Sequence, residues 1–478
     1  MKIVFLASEA VPYAKTGGLA DVAASLAQAL VLAGHEVKLF LPYYRTVASR
    51  YPKLPVLEFD RAMAGTDRFT VREDRSRGAA AYFIENKEYF DRDRLYGPPD
   101  GDYPDNGERF AFFCRAVLET LKALDFAPEI LHAHDWQTAP VLAYLKFGSD
   151  HKRFFQDTQS VFTIHNLAYQ GLFERGLLAR IGLPDRLFRM EELEFFGRVN
   201  YLKAGILYAD AVTTVSPRYA REIQTPEFGC GLDGLLRLRT GALRGILNGI
   251  DETSWNPASD TGIAARYGPD DLTGKKLCKA ELTKIFGFPA GPPDAPLIGM
   301  VSRLAGQKGF DFLIEALPAL FARKVRLVVL GTGETAIENG LKRALQRFRS
   351  SLGLRLAYDD LLARKILAGS DMFLIPSRYE PCGLTQMYCQ KFGSVPIVRA
   401  TGGLDDTVDD FTPATGAGTG FKFEAAESGA LVESVRRAVR AYGDRPQWEK
   451  IIRTGMSRDF SWRRSGEAYL ELYRSLGL

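Results

Sequence analysis

KIVFLASEAVPYAKTGGLADVAASLAQALVLAGHEVKLFLP, residues 2–42, reads as strand, loop, helix, strand. Residues 3–7 are an apolar run suited to a strand buried on both faces of a parallel sheet. From Leu19 onward, apolar side chains return at Val22, Leu26, Leu30 and Ala33, the spacing of one helix face. Gly34 closes that helix, as glycine does just past a C-cap, and residues 37–41 form the next strand. A strand–helix–strand crossover of this kind belongs to a doubly wound α/β sheet.

The alternation continues through ILHAH (130–134), VFTIH (161–165) and AVTTVS (211–216), and then restarts. LIGMVS (297–302), RLVVLG (326–331), MFLIPS (372–377) and PIVRA (396–400) read as a second series of strands separated by helical stretches. Between the series lies a segment rich in Gly, Pro and Asp, from about residue 256 to 296, holding AGPPDAP (290–296). Two α/β domains are expected, 1–247 and 248–459. KTGGLADV (15–22) reappears as TGGLDDTV (401–408), each copy after a strand and before a helix. Both copies are therefore expected among ligand loops at carboxyl ends of strands.

Bulk properties bound the function. The 478 residues are 46% hydrophobic and 25% charged, as in a globular protein of more than one domain. Sixty-two basic and 58 acidic residues give a net charge of +4, which makes no case for nucleic-acid binding. The amino terminus turns polar at Ser8 and Glu9, too soon for a signal peptide. No stretch reaches the about 20 apolar residues of a membrane span. Cysteines 114, 230, 278, 382 and 389 form no C-x-x-C pair, so reduced thiols and a cytoplasmic location are expected.

Five loops carry chemistry-bearing residues. Residues 8–18 join a strand to a helix, with Gly17 and Gly18 at the helix start and Lys15 beside them. Amides there suit a phosphate, although the loop holds neither G-x-G-x-x-G nor a P-loop. SRLAGQKG (302–309) sets Arg303 and Lys308 after a strand, two cations suited to a diphosphate whose charge grows as it departs. SRYEPCGLTQ (377–386) puts Glu380 in a turn ahead of a helix, where a carboxylate can bind sugar or ribose hydroxyls. HAHDWQ (132–137) and IHN (164–166) place histidines at two strand ends. His132, His134 and Asp135 raise the prospect of zinc, but His132 and His134 share one strand face and no fourth ligand is evident. His165 and Asn166 are better read as hydrogen-bonding groups for a sugar. The D-x-D strings Asp91/Asp93 and Asp100/Asp102 raise magnesium; their Gly- and Pro-rich surroundings favour a solvated loop, and no metal site or cofactor is assigned.

Taken together, KTGGLADV (15–22), YPDNGERF (103–110), HAHDWQTA (132–139), TIHNLAYQG (163–171), TTVSPRYA (213–220), ILNGID (246–251), WNP (255–257), SRLAGQKG (302–309), GSDMFLIPSRYEPCGLTQ (369–386), TGGLDDTV (401–408) and FSW (460–462) resemble the bacterial glycogen and plant starch synthases. The strings occur in family order over essentially the whole chain. The resemblance implies a GT-B glycosyltransferase, with two Rossmann-like domains facing across a cleft and a terminal helix (460–478) that packs back on the first. It also implies a metal-independent, retaining transfer of glucose from ADP-glucose to the non-reducing end of a glycogen or α-1,4-glucan acceptor.

Carried over by motif, the resemblance puts Lys15, Gly18, Asp21, Asn248, Tyr358, Cys382, Gly383, Leu384 and Thr385 on the donor, with Tyr358 stacked on the nucleobase. Arg303, Lys308, Glu380 and His165 become the catalytic set, and Asp135, Tyr96 and Asn166 face the acceptor. Two positions depart from the family pattern. Ala357-Tyr358-Asp359-Asp360 stands where Gly-Tyr-(Asp/Asn)-Glu is usual, which bears on nucleobase preference, and Asp405 replaces an Ala. A UDP-glucose-using sibling and a non-catalytic glucan-binding protein on the same fold are the alternatives. Membrane and nucleic-acid partners are not expected, and the sequence leaves the oligomeric state open.

Overall fold

The computed structural model describes residues 1–57, 63–64, 67–98, 101–148, 151–289 and 295–477; Asp100 and most of the AGPPDAP string lie outside them. The chain divides into two compact units, Met1–Gly249 with Trp462–Leu478, and Ile250–Ser461. Among the described residues no helix is long and apolar enough to cross a membrane.

The first unit is built on a nine-stranded sheet. In spatial order its strands are Leu243–Gly245, Ala211–Thr214, Gln159–Ile164, Ile130–His134, Lys2–Leu6, Glu36–Pro42, Ala80–Glu85, Thr70–Asp74 and Val56–Leu57. The first seven run parallel, and the last two are an antiparallel extension. The central strands are buried along nearly their whole length, the condition that makes them continuous apolar runs. The helix Gly18–Leu32 buries Leu19, Val22, Ala23, Leu26 and Leu30, and Gly34 follows it at φ +87°. Against that helix lies the terminal helix Trp462–Ser475. Its Gly466 faces Ala29 closely enough that an added Cβ would come within 3.4 Å, and Tyr469 and Tyr473 are fully buried.

The second unit holds a six-stranded, all-parallel sheet. Its order is Leu352–Arg355, Arg326–Leu330, Leu297–Val301, Met372–Ile375, Val395–Arg399 and Phe421–Phe423. Each strand of the second sequence series is present. The outer strands Leu352–Arg355 and Phe421–Phe423 and, in the first unit, Ala80–Glu85 were not anticipated.

Both sheets reverse their winding direction once. In the first unit the chain moves from Lys2–Leu6 outward on one side, and then returns to Ile130–His134 on the other. In the second, the reversal falls between Leu297–Val301 and Met372–Ile375. Loops leaving the carboxyl ends of two such neighbours diverge and open a crevice. Those loops are 7–17 and 135–139 in one unit, 302–309 and 376–384 in the other.

Gly309 lets the second pair of loops approach, and Gly402 lets the following segment pack on the second of them. Gly309 sits at φ +73°, and a Cβ there would come within 2.1 Å of the Pro376 carbonyl oxygen. Gly402 sits at φ +45°, and its Cβ would be 1.9 Å from the Glu380 carbonyl oxygen. Gly309→Ala is expected to lower the melting temperature by roughly 5 °C or more, since the left-handed conformation alone costs ~1–2 kcal/mol. Gly306→Ala, whose Cβ meets nothing within 4 Å, serves as the control. Equal shifts in thermal melts of the two variants would contradict this reading of the loop contact.

Candidate functional site

In the second unit Lys308 and Glu380 meet. Lys308 Nζ donates to Glu380 Oε2 at 2.5 Å, and Ser377 Oγ donates to the same oxygen at 2.9 Å. Both members of the ion pair are largely buried, at 19% and 13% side-chain exposure. With two donors on Oε2, Oε1 makes no hydrogen bond among the described residues and points a lone pair at any incoming hydroxyl. The loops are joined further by Gln307, whose Nε2 donates to the Tyr379 carbonyl at 3.0 Å and whose own carbonyl accepts from the Arg378 amide at 2.8 Å. Arg303 is exposed, and its guanidinium has no partner among the described residues. One cation is thus held in place and another is ready to bind an anion.

Gln386 supports the Glu380 turn from beneath. Fully buried, its Nε2 donates to the carbonyls of Cys382 (3.0 Å) and Gly383 (2.9 Å) and to Thr407 Oγ1 (3.1 Å). Cys382 is buried, Gly383 takes φ +69°, and Leu384 leads into the short helix Thr385–Lys391. Tyr358 follows the strand Leu352–Arg355 and is 79% exposed. Its neighbour Asp359 caps the helix Asp360–Gly369 by accepting from the Leu362 amide at 2.9 Å, so the altered base loop keeps a sound helix start. Asp405, the other departure, pairs with Lys422 at 2.6 Å.

The two copies of the glycine motif sit in different surroundings. In the first copy Gly17 and Gly18 are exposed, and a Cβ on either meets nothing within 4 Å. In the second copy Thr401 to Leu404 are buried, and the Gly403 amide donates to the carbonyls of Glu380 and Pro381, both at 3.2 Å. The second copy follows the strand Val395–Arg399, as expected, and backs the Glu380 turn.

In the first unit, the loop after Lys2–Leu6 is organised by Glu9, a residue the sequence reading passed over. Its buried carboxylate accepts from the Thr16 and Gly17 amides, from Thr16 Oγ1 at 2.6 Å and from Tyr96 Oη at 2.5 Å. The anion that meets the Thr16 and Gly17 amides is therefore the protein's own, and Gly18 is the glycine left at the open helix start. Tyr96 Oη also bonds Ser8 Oγ at 2.8 Å. Lys15 pairs with Asp21 at 2.9 Å and stays half exposed.

Across the winding reversal, Asp135 begins the loop after Ile130–His134 at φ +58°. Its Oδ1 accepts from the His165 amide at 2.7 Å, joining it to the end of Gln159–Ile164. Burial pushes its carboxyl up to about 7 against the pull of the His165 and Asn166 amides, with Glu9 adding to the rise. Asn166 Oδ1 accepts from the Ala168 amide at 3.1 Å, which closes the turn. Asn248 is 7% exposed, and its Oδ1 has no partner among the described residues.

Three imidazoles line this region. His132 Nδ1 bonds Tyr473 Oη at 2.8 Å and its Nε2 bonds Thr163 Oγ1 at 2.6 Å. His132 stacks on His134 at 4.2 Å, and His134 Nδ1 lies 3.0 Å from His165 Nε2. Burial lowers His132 and His134 well below the ordinary imidazole value and His165 to about 3, so all three are neutral near pH 7. Among the described residues no three His, Cys, Asp or Glu side chains gather in a metal-binding group. Arg45 engages both Asp91 (2.6 Å from Nε) and Asp93.

Comparison with known proteins places these features in a family. The profile described as starch synthase catalytic domain matches residues 2–238, and that of glycosyl transferases group 1 matches residues 295–441. The chain is 47% identical to glycogen synthase 2 of Geobacter sulfurreducens, over 99% of this chain and 98% of that protein. It is 46% identical to the glycogen synthase of Koribacter versatilis, over 99% and 98%. Among solved structures it is similar to the catalytic domain of starch synthase IV from Arabidopsis thaliana bound to ADP and acarbose, with a TM-score of 0.88, 35% identity and 99% of each chain covered. The chain belongs to the glycogen and starch synthase family, glycosyltransferases with the GT-B fold of two Rossmann-like domains.

Proposed function

We propose that this protein transfers glucose from ADP-glucose to the non-reducing end of an α-1,4-glucan, with retention of anomeric configuration and without a metal ion. The observation that carries the reading is the arrangement at the second sheet's reversal point. A fixed Lys308, an unpartnered Arg303 and a carboxylate with one oxygen to spare leave two loops of the same crevice. As the glycosidic bond breaks, negative charge builds on the departing diphosphate. Arg303 and Lys308 interact with it more strongly in the transition state than in the ground state, which is what accelerates a reaction. These cations take the part that a divalent ion plays elsewhere.

Glu380 Oε1 accepts from a hydroxyl of the transferring glucose. The amides of Cys382, Gly383 and Leu384, with Thr385, complete that contact, and the exposed Tyr358 ring offers a face to adenine. In the first unit, Lys15, Gly18, Asp21, Asn248 and His165 contact the donor, and Tyr96, Asp135 and Asn166 face the glucan. Retention follows from same-face substitution through an oxocarbenium-like state, in which the leaving phosphate oxygen takes the acceptor's proton. A double displacement needs paired carboxylates about 5 Å apart, and Glu380 is partnered by a lysine and a serine instead. The similarity to a starch synthase solved with ADP and acarbose supports both the donor and the acceptor class. Five cysteines with no C-x-x-C spacing suit the reducing cytoplasm.

Initial rates on a soluble glucan test the donor and the metal together. ADP-glucose should give the higher kcat/KM than UDP-glucose, and excess EDTA should leave the rate within a small factor. A UDP-glucose preference, or a collapse in EDTA rescued by magnesium, would contradict the proposal.

Arg303→Ala and Lys308→Ala are each expected to lower kcat by on the order of 10²–10³, with far-UV circular dichroism unchanged. Lys308→Arg should rescue poorly, because a planar fork does not replace a compact ammonium between Ser377 and Glu380. Near-native kcat with only a raised donor KM would make these residues ground-state phosphate contacts.

A further inference from the structure

His134 Nδ1 and His165 Nε2 are 3.0 Å apart. Two neutral imidazoles at that distance share one proton, so one ring donates and the other accepts. The two arrangements leave different defects. If His165 Nε2–H donates, His134 must carry its own proton on Nε2, and that nitrogen is buried without a hydrogen-bond partner among the described residues. If His134 Nδ1–H donates, the buried Nε2 is a bare lone pair.

The surroundings of His134 offer its Nε2 nothing polar. Phe5 lies edge-on at 5.1 Å and His132 is stacked at 4.2 Å. His132 cannot turn to help, because the Tyr473 and Thr163 hydroxyls hold both of its nitrogens and Thr163 Oγ1 is in turn bonded to Thr213 Oγ1 at 2.5 Å. A buried donor without an acceptor is a rarer and costlier defect than an under-used acceptor.

We propose that His134 is a positioning residue for His165: its Nδ1–H donates to His165 Nε2 and holds His165 as the tautomer protonated on Nδ1. The chain reaching it runs from the terminal helix through Tyr473 and the locked His132 ring. His165 Nδ1 makes no hydrogen bond among the described residues, so this tautomer presents an N–H rather than a lone pair to a ligand. The sugar oxygen that meets it is then an acceptor, and its own hydroxyl proton stays available for another group. This deepens the proposed contact between His165 and the transferring glucose, and rests on it.

The test combines a spectrum with kinetics. The chain has five histidines, so long-range ¹H–¹⁵N correlation on protein labelled with ring-¹⁵N histidine is tractable, with His165→Gln used for assignment. The wild type should show His165 protonated at Nδ1 and bare at Nε2. His134→Asn keeps a donor near the Nδ1 position and should preserve that tautomer, with kcat/KM within about threefold. His134→Leu removes the donor, should give His165 as a mixture, and should lower kcat/KM on the order of tenfold, the worth of one neutral hydrogen bond. His165 protonated at Nε2 in the wild type would overturn the proposal, and would mean that the Phe5 ring takes the His134 N–H. Identical His165 spectra in the Asn and Leu variants would overturn it equally. A tautomer shift in His134→Leu with unchanged kcat/KM would uphold the assignment and remove the sugar contact of His165.

Discussion

The close approach of residues 302–309 and 376–384 is the constraint on which the second unit's chemistry depends. It requires Gly309 at a position where any Cβ would strike the Pro376 carbonyl oxygen. It is then fastened by Gln307 and by the pair Lys308–Glu380. Burying an ion pair to this degree costs desolvation that the Coulomb attraction does not always recover. The third group at the pair, Ser377, offsets part of that cost. The result is a cation and a carboxylate oxygen whose positions are set before any substrate arrives, the form of electrostatic help that needs no reorganisation during reaction.

The first unit meets a different requirement with the same topology. Its reversal point must hold a glycine loop open and present neutral, orientable groups. Glu9 fixes the loop by occupying the amides of Thr16 and Gly17, and Asp135 ties two strand ends through the His165 amide. Burial keeps His132, His134 and His165 uncharged, so they serve as directional donors and acceptors and add no charge against a cationic loop. The terminal helix belongs to this arrangement, because Tyr473 supplies one of the two hydroxyls that immobilise His132.

Much of this was legible in the sequence because buried parallel strands are continuous apolar runs, and each ends at a recognisable loop. Lys308 and Glu380 were each placed on a loop at the end of a strand before any contact was known, although the adjacency of those strands was not. Their direct bond was not legible, because it depends on Gly309 setting the loop separation. Glu9 went unnoticed for a similar reason: SEA at the end of a strand is unremarkable until the chain folds Thr16 back over it. The strands Ala80–Glu85 and Thr70–Asp74 were missed because the apolar run AAYFI is short and TVRED has a single apolar residue, with Glu73 and Asp74 buried although charged. The two TGGL strings follow strands as read, but their different surroundings, an open helix start in one unit and a buried backing in the other, were not legible.

The most direct test of glucosyl transfer with retention is to follow the reaction by ¹H NMR, with ADP-glucose and a short maltooligosaccharide as substrates. New α-1,4-glucosyl anomeric signals should grow at the non-reducing end from the first turnovers, matched one for one by released ADP. A β-linked product, or free glucose in place of chain extension, would contradict a same-face transfer driven by charge on the leaving diphosphate.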